Sequence, residues 1–452
     1  LAERAALTRR RRVAATALAL FATLAAAVGL NRLLGVGALS GGSLLPGDVG
    51  LGELTALATS WWIPAGDGLR GPADPLFAVL LVPLITGTAL STITTLLVFL
   101  AVPAATLTAW LAAGAATRTV GLRVLAALLW AFAPALTVAL GQGRVGPVLA
   151  HVALPLVALL TARAMGLARR DVILSGLVGA RRVIDPTTQP DAPRVAGAAL
   201  EPPLGRTTAS LGAAAGAALV FSVVAAGAPV LLPLGVAVFV ALTVASRARR
   251  VLWFVPLPAL VLFGPLLTEV WTTRTWHVLA ASPGVPLGFT PAEPWQAALG
   301  LPATLDLSAL PDWAVWVPLA PGAVLAAVAV VALLRGTGRA RAVRLGWLLA
   351  VLGLLVALAS PYVTVALDAD GAPVPAWPGA GISLATLGLL TAALSGADGV
   401  RDVLARHSFG WRHLSAALLA GLGGLAAAVA IATWFVGTLG PEAIENQGVG
   451  AP

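Results

Sequence analysis

The chain has 452 residues, of which 59% are hydrophobic and only 10% charged, and it carries a net charge of +9. Soluble domains carry about 25% charged residues, so the composition excludes an ordinary soluble fold and points to an integral membrane protein. There is no lysine and no cysteine, which removes disulfides, thiol catalysis, cysteine-based metal sites and Walker-type nucleotide loops. The excess of positive charge does not indicate nucleic acid as a partner, because the arginines fall in short clusters between apolar runs.

Taken in order, the chain opens on Leu1 rather than Met, which leads us to expect a segment of a longer or processed protein. Arg9, Arg10, Arg11 and Arg12 precede the first apolar run, 13–33. That run is too long for a signal-peptide core and lacks a cleavage site, so it reads as a retained helix. Ten further apolar runs follow at 90–113, 122–140, 148–168, 208–226, 230–246, 251–270, 313–334, 345–366, 381–397 and 414–437. About 20 apolar residues span the hydrocarbon of a bilayer, so the expectation is an all-α polytopic bundle of eleven spans, forming a single membrane domain over 1–452. The shorter run 76–88, bounded by Pro75 and Gly87, reads as a juxtamembrane or re-entrant helix.

Arginine placement sets the orientation. With the N-terminus in the cytoplasm and the C-terminus outside, all but four of the 28 arginines (Arg32, Arg70, Arg144 and Arg274) fall on the cytoplasmic side, as the positive-inside rule requires. The expected location is therefore a multi-pass plasma (inner) membrane protein with the lipid bilayer as its first partner. Four longer pieces connect the spans: an external loop at 35–75, a Pro-rich cytoplasmic linker at 171–206, an external loop at 271–312 and an external tail at 438–452. The Ala- and Gly-rich runs LGAAAGAALV and LLAGLGGLAAAVA suit close helix packing in lipid, or equally reflect composition bias.

Four groups of residues are candidates for chemistry. Asp48 and Glu53 lie in the first external loop. Membrane-embedded sugar transferases place a carboxylate in that loop as general base or metal ligand, although Asp48 would also serve as a helix cap. Arg144, in the external link GQGRVGP, opposes the charge bias and could grip a lipid phosphate; the plainer role is an interfacial arginine that snorkels. His151, about two helical turns on, is an ionisable group within a span, or a neutral hydrogen-bonder between helices. Trp271, Arg274 and His277, in WTTRTWH, combine aromatic faces with a cation, as sugar-phosphate binding would need, and equally fit an interfacial anchor. Asp368 and Asp370 form a D-x-D sequence in a short external loop. No cofactor motif is evident; a divalent metal on the loop carboxylates is the one cofactor these residues could take. The spans lack the multiple central charges of proton-coupled carriers.

The stretch containing PAATLTAWLAA and LLWAFAPALTVALGQGRVGPVLAHVALPLVALLTARA resembles the polytopic membrane half of large actinobacterial family 2 glycosyltransferases. The likeness extends to RRRRVAATALAL, to GGSLLPG with SWW downstream, and to the closing tail. It implies a cytoplasmic family 2 glycosyltransferase domain on the same longer chain, whose acidic metal-binding motif this sequence does not contain. A second similarity, in the loop followed by a juxtamembrane helix, is to membrane-embedded GT-C-type transferases. The expected function is a membrane module of a glycosyltransferase in cell-envelope glycan or glycolipid synthesis, handling a polyprenyl-phosphate-linked sugar or acceptor. The alternatives are a transporter or flippase of lipid-linked sugars, or a non-catalytic scaffold for an enzyme domain.

Overall fold

The computed structural model describes residues 2–35, 38–44, 49–63, 69–168, 210–245, 250–305, 311–334, 339–367, 371–400, 404–405, 408–437 and 444–446. Asp48, the linker 171–206, and Asp368 with Asp370 lie outside the described residues. The architecture is a helical bundle: α1 (Ala2–Gly29), α2 (Leu51–Thr59), α3 (Pro75–Leu84), α4 (Leu90–Ala116), α5 (Val120–Ala131), α6 (Pro134–Gly141), α7 (Val145–Ala164), α8 (Leu211–Gly227), α9 (Leu231–Ala245), α10 (Leu257–Leu262), α11 (Gly264–Thr273), α12 (Pro294–Ala298), α13 (Ala320–Leu333), α14 (Ala340–Ala359), α15 (Gly379–Ala397) and α16 (Trp411–Gly437). Three two-stranded antiparallel ladders decorate it: β1 (Leu39–Gly41) with β6 (Ile444–Asn446), β2 (Trp62–Ile63) with β3 (Leu69–Arg70), and β4 (Thr364–Leu367) with β5 (Pro373–Pro375).

Seven helical segments are long and apolar enough to cross a membrane: Thr8–Gly29, Leu90–Ala116, Val120–Gly141, Val145–Ala164, Ala340–Tyr362, Gly379–Ala397 and Trp411–Phe435. An eighth arises if the bent pair Val251–Leu262 and Gly264–Thr273 counts as one span. Every apolar run expected to span is helical for most of its length, with three local departures. The run 122–140 is broken between α5 and α6, because Pro134 has no N–H to donate and forces Ala133 out of helical geometry (φ −66°, ψ 138°). The run 251–270 is not one straight span: it bends by 71° ahead of Gly264-Pro265. The run 345–366 ends as a helix at Ala359, and Pro361 starts a short 3-10 turn that feeds β4.

The tightest helix contact is between α14 and α15. Gly346, Ala350, Gly353 and Ala357 on α14 face Gly381, Ala385, Gly388 and Ala392 on α15, with the small residues repeating in steps of four and three. A Cβ at Gly346 would lie 2.7 Å from Ala392 N and from Gly388 O, and one at Gly381 would lie 2.5 Å from Ala357 N. Backbone therefore meets backbone along about three turns, the arrangement that lets helices associate where lipid offers no hydrophobic drive between them. This seam makes α15 the most buried of the candidate spans, at 83% of its window.

The packing orders the ends. Trp434 of α16 donates its Nε1–H to Ala25 O of α1 at 3.1 Å, and β1 after α1 pairs with β6 after α16. The two helices therefore run parallel and leave the bundle at the same end. Arg144 lies at that end, since Ser43 N, just after β1, bonds Gln142 O at 2.9 Å. The opposite end gathers the arginines at the start of α14 and the end of α7. There Arg339 pairs with Asp398 at 2.8 Å, and Asp398 accepts from Thr117 Oγ1 at 2.7 Å.

α2 and α3 pack together through Leu54, Leu76, Leu80 and Leu84, with Leu149 of α7 against them. Asp74 caps α3, accepting from Leu76 N at 2.8 Å. Burial raises the Asp74 carboxyl from 3.8 to about 6, against the opposing effect of that hydrogen bond.

Two outcomes are expected. Gly353→Leu should lower the melting temperature of the purified protein by the equivalent of about 1–3 kcal/mol or more through overpacking. Gly421→Ala on α16, where a Cβ meets nothing within 4 Å, should change it little. The second outcome concerns Asp74. The folded state binds its proton more tightly than the unfolded chain, so the charged carboxylate costs stability above about pH 6, and that cost disappears as the pH falls towards 3.8. Asp74→Asn keeps the cap acceptor and should stabilise at pH 7 by up to roughly 3 kcal/mol, less for the part of the side chain still in water. The gain should vanish near pH 4; an equal gain at both pH values would mean ionisation is not its source.

Candidate functional site

At the Arg144 end, three loops and a helix start converge. The link between α6 and α7 turns through Gly143, whose φ of 66° suits glycine, and Arg144, the residue before α7, closes α6 with its N–H on Ala139 O at 2.9 Å. Ser43 reaches across from the first loop, donating its hydroxyl to Val285 O at 2.7 Å. Gly284 allows this close approach, because a Cβ there would lie 2.6 Å from Ser43 O.

Arg144 sits within this junction with only 3% of its surface exposed. Its Nε donates to Gln142 Oε1 at 2.7 Å and its Nη2 to Leu287 O at 2.9 Å. The guanidinium lies over the Trp377 ring at 4.2 Å and over Phe289 at 5.1 Å, and those two rings meet edge to face at 4.9 Å. Among the described residues no carboxylate forms an ion pair with Arg144. Burial lowers its guanidinium from the ordinary arginine value to about 10, so it remains a cation at neutral pH. The indole Nε1 of Trp377 is also buried and makes no hydrogen bond among the described residues.

Two turns further along α7, His151 is 1% exposed and stacks on Trp130 at 4.0 Å between ring centroids. Its Nε2 lies 3.1 Å from Trp130 O and its Nδ1 2.7 Å from Ser383 Oγ. A carbonyl can only accept, so in the neutral ring Nε2 carries the proton and Ser383 donates to Nδ1. The same Ser383 hydroxyl lies 2.8 Å from Gly379 O. One hydroxyl proton thus faces two acceptors.

The remaining candidates stand apart. Glu53 is exposed in the first turn of α2, where its charge suits the helix dipole. Trp271, Arg274 and His277 form a separate exposed group: Arg274 adopts a left-handed φ of 60° and lies 5.0 Å over Trp271, which meets Trp276 edge to face at 5.7 Å. No hydrogen bond or ring contact joins this group to Arg144 among the described residues. Nor do three or more His, Asp or Glu of the described residues gather as metal ligands.

Sequence reading singled out Arg144 and His151 but missed Gln142, Phe289, Trp377, Trp130 and Ser383. Trp377 carried a signal, being a tryptophan between prolines just ahead of a span; Ser383 carried none, being one of four hydroxyl residues in an apolar helix. No family model matches the chain, and no curated protein matches it.

The His151–Ser383 pair is testable by a double-mutant cycle. Ser383→Ala leaves a buried ring nitrogen unsatisfied and should cost about 1–3 kcal/mol, whereas adding His151→Phe should recover much of that loss because both partners are then apolar. Strictly additive losses in thermal melts would mean the two side chains do not interact.

Proposed function

We propose that the chain is the polytopic membrane module of a glycosyltransferase acting in cell-envelope glycan or glycolipid synthesis, and that it handles a polyprenyl-phosphate-linked sugar or acceptor. The observation that carries this reading is Arg144: a buried guanidinium set against two aromatic rings, without a carboxylate among the described residues, beside an indole N–H with no acceptor among them. A desolvated cation in that setting favours an anion, and a planar fork of donors suits a phosphate. The resemblance over 102–168 to the membrane half of family 2 glycosyltransferases falls on the same stretch.

In this reading the chain crosses the inner membrane eleven times in a GT-C-like bundle. The seven long segments, the bent pair and the three shorter apolar helices α8, α9 and α13 make up that number. An odd count fits α1 and α16 leaving the bundle at one end; in this reading the N-terminus is cytoplasmic, and Arg144 and the C-terminus are outside. Asp48 or Glu53 is the proposed general base, with or without a divalent metal. Arg144 holds the lipid phosphate, His151 fixes the helix beneath it, and Trp271, Arg274 and His277 give the sugar a face.

The test is incorporation of labelled sugar into lipid-extractable product by membranes carrying the chain, alone and joined to a cytoplasmic family 2 domain. Nucleotide sugars and polyprenyl-phosphate sugars serve as donors. Arg144→Lys, which keeps the charge but loses the fork, should reduce incorporation at least tenfold with the protein still folded, and Asp48→Asn should abolish any transfer the chain performs alone. Movement of a lipid-linked sugar across sealed vesicles without transfer would make the chain a flippase and overturn the reading. Incorporation unchanged in both variants would leave a scaffold.

A further inference from the structure

A second feature lies at the opposite, arginine-rich end of the bundle. A cavity of about 190 Å³ runs between α4, α5, α7, α14 and α15. Its walls are small and apolar, among them Ala113, Ala126, Ala158 and Leu390; the one mid-wall hydroxyl, Thr391, is spent on Leu387 O at 2.8 Å. Trp130 lines its inner part, while Ala116, Ala162 and Ala342 bring it to the helix ends, where Ala342 is exposed. On α15 the lining extends from Leu387 to Ser395, which at 1.5 Å per residue is about 12 Å of depth.

Apolar cavities of about 150 Å³ stay dry and take up hydrocarbon such as benzene. The space here fits a stretch of one hydrocarbon chain and not a whole lipid. The mouth supplies what a headgroup needs. Arg163 follows Ala162 on α7, and Arg341 and Arg344 flank Ala342 on α14; all three are exposed and enter no ion pair among the described residues. The acidic residue placed among them, Asp398, is already engaged by Arg339 and Thr117. Positive charge at the rim and an apolar slot behind it are complementary to an anionic lipid.

We propose that this cavity holds one hydrocarbon chain of a phosphate-bearing lipid whose headgroup rests on Arg163, Arg341 and Arg344. The slot selects a single chain by its width, and the arginines select the headgroup by charge. The inference stands whether or not the chain takes part in sugar transfer, because it concerns the end of the bundle opposite Arg144.

Trp130 provides the reporter. It is 0% exposed, so a quencher on a bulk lipid chain reaches its ring only by entering the cavity. The full chain is placed in phosphatidylcholine nanodiscs containing a graded fraction of phosphatidic acid brominated in mid-chain, and tryptophan fluorescence is read. A saturable quenching component is expected at low mole fraction, several-fold larger than with brominated phosphatidylcholine and absent in Trp130→Phe. Ala158→Leu, which fills the slot, should remove it. Arg341→Gln with Arg344→Gln leaves the walls intact and should shift saturation to at least tenfold more lipid, which keeps the test decisive if the filled variant does not fold. Equal quenching by the two brominated lipids, or saturation unchanged in the arginine variant, would overturn the proposal. The readout is lipid contact rather than product, so a failed sugar-transfer assay and a failed quenching assay are separate results.

Discussion

The seam between α14 and α15 is the constraint on which the rest depends. Lipid tails are as apolar as leucine, so burying leucines between helices gains little in a bilayer, and the gain has to come from contact distance. Alternating glycine and alanine on both helices bring the two backbones together over about three turns. That contact fixes α15 at the centre of the bundle, and α15 then supplies Ser383 to His151, Asp398 to Arg339, and the wall of the cavity. A similar close approach joins α7 to α8, where a Cβ on Gly146 would lie 2.8 Å from Gly227 O. It seats the start of α7 beside the loops that enclose Arg144.

Arg144 shows what such a frame makes affordable. Burying a guanidinium costs several kcal/mol unless hydrogen bonds and opposite charge offset it. Here two donors find a side-chain amide and a backbone carbonyl, and two aromatic rings that meet edge to face lie against the guanidinium. Ring faces carry negative potential and favour a cation. The pocket therefore holds the arginine in place without cancelling its charge, unlike the pairing of Arg339 with Asp398 at the other end. Two cationic centres with different chemistry thus occupy the two ends of one bundle.

Much of the fold was legible because its cause is local: an apolar run long enough to cross a bilayer is helical, and Pro134 and Pro361 fall where two of the helices stop, although Pro103 and Pro155 lie inside others. The break before Pro134 and the bend at Gly264-Pro265 were written in the same runs, but a hydropathy average passes over single residues. The close packing was less legible. LLAGLGGLAAAVA drew attention by its glycines, yet Gly421 and Gly424 of α16 meet nothing within 4 Å. The seam lies instead in GWLLAVLGLLVALA and GISLATLGLLTAA, where small residues are spaced by turns and diluted by leucine. Arg144 and His151 were visible as polar residues in apolar surroundings. Their partners were not, because Phe289, Trp377 and Ser383 lie far along the chain and meet them only through tertiary packing, Ser383 through the parallel passage of α7 and α15.

Trp130 ties the two halves together physically. It ends the first half of a broken span, and the break is what frees its carbonyl from the regular helical ladder to accept from His151 Nε2. Its ring stacks on the imidazole, and the residue also lines the cavity. Pro134 denies the Trp130 carbonyl its usual donor four residues on; the carbonyl keeps the Ala133 N–H at 3.2 Å and has a second lone pair for the imidazole.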